Sequence, residues 1–345
     1  MSIENPDLHY IQRCIHLAQK AIGHTYPNPM VGAVIVHQGN IIGEGYHHKA
    51  GEAHAEINAI NAVKQPELLP EATIYVSLEP CSHFGKTPPC ALKLKEIGFK
   101  RVVIGAMDSH EKVNGKGEKI LEEAGIEVIS GVLEKECQEL NKRFFTYHQK
   151  QRPFIILKWA ESADGFIDQD FKPTIISNPL ASQWVHRLRA NENAILVGTQ
   201  TALTDNPSLT VRHIEGNNPV RILIDFDLKV PTHFNIFNAE APTLIFNGVK
   251  NEVNGHLKYI KIEREHFLEQ LMQHLHQEQI QSIIIEGGKH TLEQFIHAHL
   301  WDEAFVIKNQ NLILKHGTPA PKLHLAPNKT ETIRDNTIEF YYNEV

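Results

Sequence analysis

Apolar residues Leu8, Ile11, Ile15, Ala18 and Ile22 recur at helical spacing, and Asn5-Pro6 ahead of them supplies a cap and a first helical residue. The period then changes. Two apolar runs, 31–36 and 41–45, flank Gln38-Gly39-Asn40 and predict a β-hairpin. The pattern continues with a helix over 54–63, a strand over 72–78, a helix after Pro88-Pro89, a strand over 101–105, a helix over 118–124 and a strand over 126–129. Helices placed between strands imply a mostly parallel sheet in a three-layer α/β arrangement. The polar run Tyr147-His-Gln-Lys-Gln-Arg152 precedes Pro153 and a fresh apolar strand at 154–157, so a domain boundary is placed there, giving 1–150 and 151–345. Alternation resumes beyond it: helix 180–190, strands 194–198, 220–225 and 242–247, helix 267–276, strand 282–286, helix 292–299, then a strand-rich close.

Composition narrows the classes. The 345 residues suggest about two domains, and 41% hydrophobic with 22% charged residues is the balance of an ordinary globular chain. Lys and Arg number 34 against 41 Asp and Glu, a formal charge of −7 with no basic stripe, which argues against a nucleic-acid partner. The longest apolar runs fall far short of the ~18 residues of a membrane span. The first residues lack the basic-then-apolar layout of a secretory signal. The expectation is a soluble cytoplasmic protein with no membrane partner. Four cysteines make no disulfide scaffold, but Cys81 and Cys90 stand close together among prolines.

That pair belongs to the strongest chemical signal in the chain. His54-Ala55-Glu56 is followed by Pro80-Cys81 and then by Cys90. One imidazole and two thiolates suit zinc and leave a fourth position for water, and two thiolates cancel the charge of the ion. Glu56, two residues from His54, does not overlie it on a helix, so it is free to carry a proton between water and a departing nitrogen. The arrangement matches the general zinc-deaminase signature, except that eight residues separate the cysteines in place of two. Both His54 and Cys90 fall at predicted helix starts, where thiolates are favoured. The bland alternative is a surface histidine with two small buried cysteines. Another is a closed structural site with His83 as fourth ligand. Cys14 and Cys137 read as bystanders, and Gly85-Lys86-Thr87 is rejected as a phosphate loop because Pro80 stands where that motif needs glycine.

The long inter-cysteine segment, Pro80-Cys-Ser-His-Phe-Gly-Lys-Thr-Pro-Pro-Cys90, together with Tyr26-Pro-Asn-Pro-Met-Val-Gly32 and Gly51-Glu-Ala-His-Ala-Glu56, resembles the bifunctional deaminase–reductases of riboflavin biosynthesis. The resemblance implies a cytidine-deaminase-like domain over 1–150 with zinc on His54, Cys81 and Cys90 and with Glu56 as proton donor. It further implies that Asn28 and His47 line a pyrimidine pocket.

In the second half, Ile283-Ile-Ile-Glu286-Gly287-Gly288 reads as a buried strand ending in glycines before a helix. A phosphate received at the helix N-terminus and a plain turn explain it equally. The same resemblance covers this half through Lys158-Trp-Ala-Glu-Ser-Ala-Asp-Gly165, Arg187-Leu-Arg-Ala190, Asp205-Asn-Pro-Ser-Leu209 and Arg221-Ile-Leu-Ile-Asp225. It implies a dihydrofolate-reductase-like domain over 151–345. By that likeness Ala160, Ile175, Thr201, Asp205, Phe226, Gly288, Lys289, His290, Thr291, Leu292, Glu293 and Gln294 contact NADPH. Arg189, Leu209, Arg212 and Glu286 hold a phosphoribosylaminopyrimidine substrate, Lys158 donates a proton in the reduction, and the chains assemble as a homo-oligomer, dimer or tetramer. The family carries Asp-Pro-Asn-Pro where this chain has Asp108-Ser-His-Glu111, and its Ser-x-Trp-Ile-Thr motif is missing around Lys172-Pro-Thr-Ile-Ile176. The competing reading is a monofunctional zinc nucleoside or tRNA deaminase with an inactive C-terminal domain.

Overall fold

Helix α1 (Pro6–Gln19) begins as its sequence dictates: Asn5 accepts a hydrogen bond from the Asp7 amide, and Pro6 takes the first helical position. The computed structural model describes residues 5–84, 88–108 and 115–343, and the chain divides into two compact units, 1–151 and 152–345. The Gly85-Lys86-Thr87 segment and three residues of the Asp108–Glu111 departure lie outside the described residues.

In the first unit β1 (Gly32–His37) and β2 (Asn40–Tyr46) form the predicted hairpin. They are followed by α2 (Ala55–Asn61), β3 (Thr73–Leu78), α3 (Cys90–Ile97), β4 (Arg101–Ala106), α4 (Lys116–Glu122), β5 (Glu127–Ile129), α5 (Glu134–Leu140) and α6 (Lys142–Lys150). The sheet order is β2-β1-β3-β4-β5. It is mixed, not mostly parallel: β1 runs antiparallel to both neighbours, and only β3, β4 and β5 are parallel. A tight hairpin can only reverse the chain, whereas parallel pairs need the helical crossovers that follow.

Successive strand residues point to opposite faces. Ile35, Ile74, Val76 and Ile104 pack with Ala55, Ala59 and Leu94 of α2 and α3, while Val34, Val36, Tyr75 and Val103 pack with Ile11, Cys14 and Ile15 of α1 and with Phe144 and Phe145 of α6. Cys14 and Cys137 are both fully buried on the second face, core residues outside the chemical signal.

Asp7 ties α1 to the sheet. Its carboxylate accepts two bonds from Arg101, both 2.8 Å, and one from the Tyr75 hydroxyl at 3.0 Å. The hydrogen bonds from Arg101 lower the Asp7 pKa against the opposing effect of burial. An acid so depressed contributes stability above its ordinary range, and that stability is lost as pH falls through the lowered value. Asp7→Ala is expected to cost roughly 3 kcal/mol, the low end for breaking a buried pair. Urea midpoints measured down the pH scale should show the gap between wild type and variant narrowing in acid, below the ordinary aspartate range; a gap independent of pH would remove the ion pair from the account.

The second unit is built on β6 (Phe154–Glu161), α7 (Pro179–Asn191), β7 (Ala194–Gly198), α8 (Thr199–Asp205), β8 (Val220–Ile224), β9 (Thr243–Asn247), β10 (Glu252–Asn254), β11 (Leu257–Lys261), α9 (Phe267–Gln277), β12 (Ser282–Ile285), α10 (Lys289–His297), β13 (Glu303–Asn309), β14 (Lys329–Ile333) and β15 (Asn336–Tyr342). The ten strands run β10-β11-β9-β8-β7-β12-β6-β13-β15-β14, parallel from β11 across to β13 and antiparallel at both edges. Central strands are apolar on both faces, as a sheet covered on two sides requires: Ile155 and Leu157 enter one core, Phe154 and Ile156 the other. The chain leaves β6, builds outward from β7, and returns through β12 between them. This places the carboxyl ends of β6, β12 and β7 around the point where ligands of open α/β sheets bind.

Candidate metal centre and reductase cleft

Helix α2 delivers the first ligand. His54 is its N-cap residue, in extended conformation, and the helix lies hard against β2. A Cβ on Gly43 would meet the Ala59 carbonyl oxygen at 2.4 Å, and one on Gly45 the Ala59 nitrogen at 2.4 Å, so only glycine admits this approach. Cys90 opens α3 directly after Pro89, and its amide points at the Cys81 sulfur, 3.3 Å away. His54 Nδ1 lies 3.5 Å from Cys81 Sγ and 3.3 Å from Cys90 Sγ.

These distances fit zinc. Bonds of about 2.3 Å to sulfur and 2.05 Å to nitrogen at a tetrahedral angle separate the two ligand atoms by about 3.55 Å. Among the described residues the ligand cluster is His54, Cys81 and Cys90; His83 is exposed and outside it. Hydrogen bonding from Cys90, and from His54 after it, draws the Cys81 thiol down to about 4 despite burial, while Cys81 and burial push Cys90 well up. Two thiolates this close repel each other, and a cation held between them would relieve that repulsion. Glu56 is 3% exposed; burial first, and the Cys81 charge second, push it up to about 7.

Asn28 and His47 sit beside this cluster, the His47 and His54 rings 5.3 Å apart. His47 Nδ1 lies 3.1 Å from the Ala53 carbonyl oxygen, so that nitrogen carries the proton and Nε2 accepts from Asn28 Nδ2 at 3.0 Å. The amide of Asn28 is thereby oriented, its oxygen turned away from the imidazole. The loop carrying Asn28 is held by Asn141, which accepts from the Met30 amide at 2.8 Å and donates to the Met30 carbonyl at 2.9 Å. Sequence reading missed Asn141, since nothing local links it to a residue 111 positions away.

In the second unit a cleft of about 1390 Å³ opens at the carboxyl ends of β6, β7, β8 and β12. Lys158, Ala160, Ile175, Thr201, Asp205, Phe226, Glu286, Gly288, Lys289, His290, Thr291, Glu293 and Gln294 all line it. Ile175 stands at its edge, 92% exposed. Leu292 differs: it is fully buried in the core beneath α10. The backbone at the end of β7 approaches the first turn of α10 closely, and Gly288, its N-cap, donates to Thr201 Oγ1 at 2.7 Å. A Cβ on Gly198 would lie 2.6 Å from Thr291 Oγ1.

Deeper in the cleft, Glu286 accepts from Arg189 at 2.7 and 3.3 Å and faces the Lys158 ammonium at 3.9 Å. Burial works to raise the Glu286 carboxyl, but Arg189 and then Lys158 overcome it and hold it down to about 2. Burial lowers Lys158, Glu286 resists, and Arg189 adds to the lowering. Leu209 is buried with φ +54°, and Arg212 beyond it is exposed, its guanidinium 3.3 Å from Thr210 Oγ1. Sequence reading also missed His186, one turn before Arg189 on α7.

Fold and site together define a zinc-binding cytidine-deaminase-like domain joined to a dihydrofolate-reductase-like domain of the NADPH-dependent kind. The family model for the cytidine and deoxycytidylate deaminase zinc-binding region matches residues 4–106, and that for the RibD C-terminal domain matches 153–309. The riboflavin biosynthesis protein RibD of Aquifex aeolicus is 40% identical over 311 residues, covering 88% of this chain and 87% of its own, and that of Escherichia coli is 36% identical over 328. The crystal structure of a diaminohydroxyphosphoribosylaminopyrimidine deaminase/5-amino-6-(5-phosphoribosylamino)uracil reductase from Thermotoga maritima superposes with a TM-score of 0.88 at 34% identity, covering 97% of each chain. The chain belongs to the RibD family, the bifunctional deaminases and reductases of riboflavin biosynthesis.

Proposed function

We propose that the chain deaminates 2,5-diamino-6-(5-phosphoribosylamino)pyrimidin-4(3H)-one in its first unit and reduces the ribosyl chain of the product to ribityl in its second. What carries the first half of the reading is the three-ligand cluster with a buried carboxyl alongside. Zinc held by His54, Cys81 and Cys90 supplies a Lewis acid that makes water nucleophilic near neutral pH. Glu56 takes a proton from the attacking water and returns it to the leaving amino group at the ring carbon, so that ammonia departs. Asn28, its amide set by His47, orients the pyrimidine.

NADPH supplies the hydride for the second step. Thr201, Gly288 and the first turn of α10 offer a helix N-terminus to its phosphates, with Ala160, Asp205 and Phe226 along the cleft. Reduction at C1 of the opened ribose would need a proton as well as a hydride, and the half-buried Lys158, which lines the cleft, is the donor in this reading. Arg189 and Arg212 fit the substrate phosphate, since guanidinium forks match its geometry, and Glu286 orients both Arg189 and Lys158. An assembly of identical chains and a cytoplasmic location complete the reading on family likeness alone. Among the described residues no helix is long and apolar enough to cross a membrane, and the acidic balance disfavours nucleic acid.

The test is to incubate purified protein with the diaminopyrimidine phosphate, with and without NADPH. Ammonia should appear in both, and NADPH should be oxidised only after deamination. Ammonia without any NADPH oxidation would instead identify a monofunctional deaminase.

A further inference from the structure

His186 takes no part in the two steps above, yet its position is hard to explain as packing alone. It is 3% exposed on the α7 face that carries Arg189 one turn later. Its Nδ1 lies 3.1 Å from the Arg212 amide nitrogen and accepts that hydrogen bond. Its ring stands edge-on to His213 at 4.4 Å. An imidazole can accept at Nδ1 only when that nitrogen is unprotonated, which leaves the proton on Nε2. The surroundings enforce this state: burial first, then Arg189, His213 and Arg212, bring its pKa down to about 4 despite Glu286.

The chain just before Arg212 is tied elsewhere, the Val211 amide donating to Asn218 Oδ1 at 2.8 Å, and the Arg212 amide itself is held by His186. Arg212 is exposed and follows a loop that passes through left-handed conformations at Asn206 and Leu209. We propose that His186 is a positioning residue for the substrate phosphate, its imidazole anchoring the Arg212 main chain to α7 so that the guanidinium groups of Arg212 and Arg189 converge on one anion. The device is a neutral acceptor: Glu286 already binds the Arg189 guanidinium, and a second carboxylate in the place of His186 would compete with the phosphate for that of Arg212. The inference rests on the phosphate reading of the two arginines given above.

The test compares His186→Phe, which keeps the ring and removes the acceptor, with His186→Asn, whose Oδ1 can occupy the place of Nδ1. The full-length protein is assayed for reduction of the deaminated phosphoribosyl compound and of the corresponding riboside without phosphate. His186→Phe should raise KM for the phosphorylated substrate about tenfold, the scale of one lost positioning hydrogen bond. KM for NADPH and the rate on the riboside should stay within twofold, and His186→Asn should recover most of the loss. An equal penalty on both substrates, a parallel rise in KM for NADPH, or an Asn variant no better than Phe would overturn the proposal. Arg212→Ala separates the two layers. If that variant keeps full preference for the phosphorylated substrate, the phosphate reading itself fails; if it loses the preference while His186→Phe does not, only the role of His186 fails.

Discussion

Glu56→Gln should leave about one zinc per chain and lower ammonia release by a factor of about 10³ or more, within the range that a positioned acid–base group contributes. Glutamine keeps the shape and burial of the side chain but cannot shuttle a proton. The three ligand atoms belong to other residues, His54 Nδ1 lying 3.5 and 3.3 Å from the two sulfurs, so metal binding does not depend on the carboxylate. Glu56→Asp draws the carboxyl back by one methylene and should cost on the order of 10²-fold, because a displacement of about 1 Å at a reacting centre has that effect. Metal content by atomic absorption and ammonia by a coupled assay check both variants. Residual deamination within tenfold of wild type would take Glu56 out of the chemistry. Loss of zinc along with activity would make it a structural support of the ligand cluster instead.

The parts of this site that the sequence displays are those whose residue types have no comparable use elsewhere. A histidine, two cysteines and an acid in fixed order are uncommon as core or surface, and the helix starts at His54 and Cys90 follow from local rules. What supports them is invisible locally. Gly43 and Gly45 read as ordinary strand residues until α2 is laid over them, and Asn141 is one polar residue among many until Met30 arrives beside it. In the second unit α8 forms directly after β7, where the alternation predicts no helix. Its sequence, Thr-Gln-Thr-Ala-Leu-Thr-Asp, is short and rich in threonine, a poor helix former, so packing rather than propensity makes it helical. The start of α10 at Lys289, three residues before the expected Leu292, reflects Gly288 acting as a cap, a role that glycine fills less often than serine or aspartate. The short strands β10 and β11 escaped because one is exposed on every residue and shows no alternation.

The second large effect is expected at Lys158. Lys158→Met keeps the length and most of the volume of the side chain, removes the ammonium, and should lower the reduction rate by 10²-fold or more, the usual scale for a lost general acid. NADPH affinity measured by fluorescence titration should change little, because the groups proposed above for the cofactor are Thr201, Gly288 and their neighbours, which line the same cleft. Ammonia release should be untouched, since the deaminating groups belong to the other compact unit. Lys158→Arg should not rescue: guanidinium holds its proton far too tightly to donate it near neutral pH, and its planar fork does not fit beside Arg189 against a single carboxylate. The wild-type pH profile supplies the sign. Burial lowers the Lys158 pKa below the ordinary lysine value of 10.5, and the protonated form is the donor. The reduction rate therefore falls as pH rises through that lowered value, giving an alkaline limb that begins earlier than a free lysine would produce. The residual activity of Lys158→Met should lack that limb. A variant that retains more than a tenth of the wild-type rate with the same alkaline fall would assign the proton to another group.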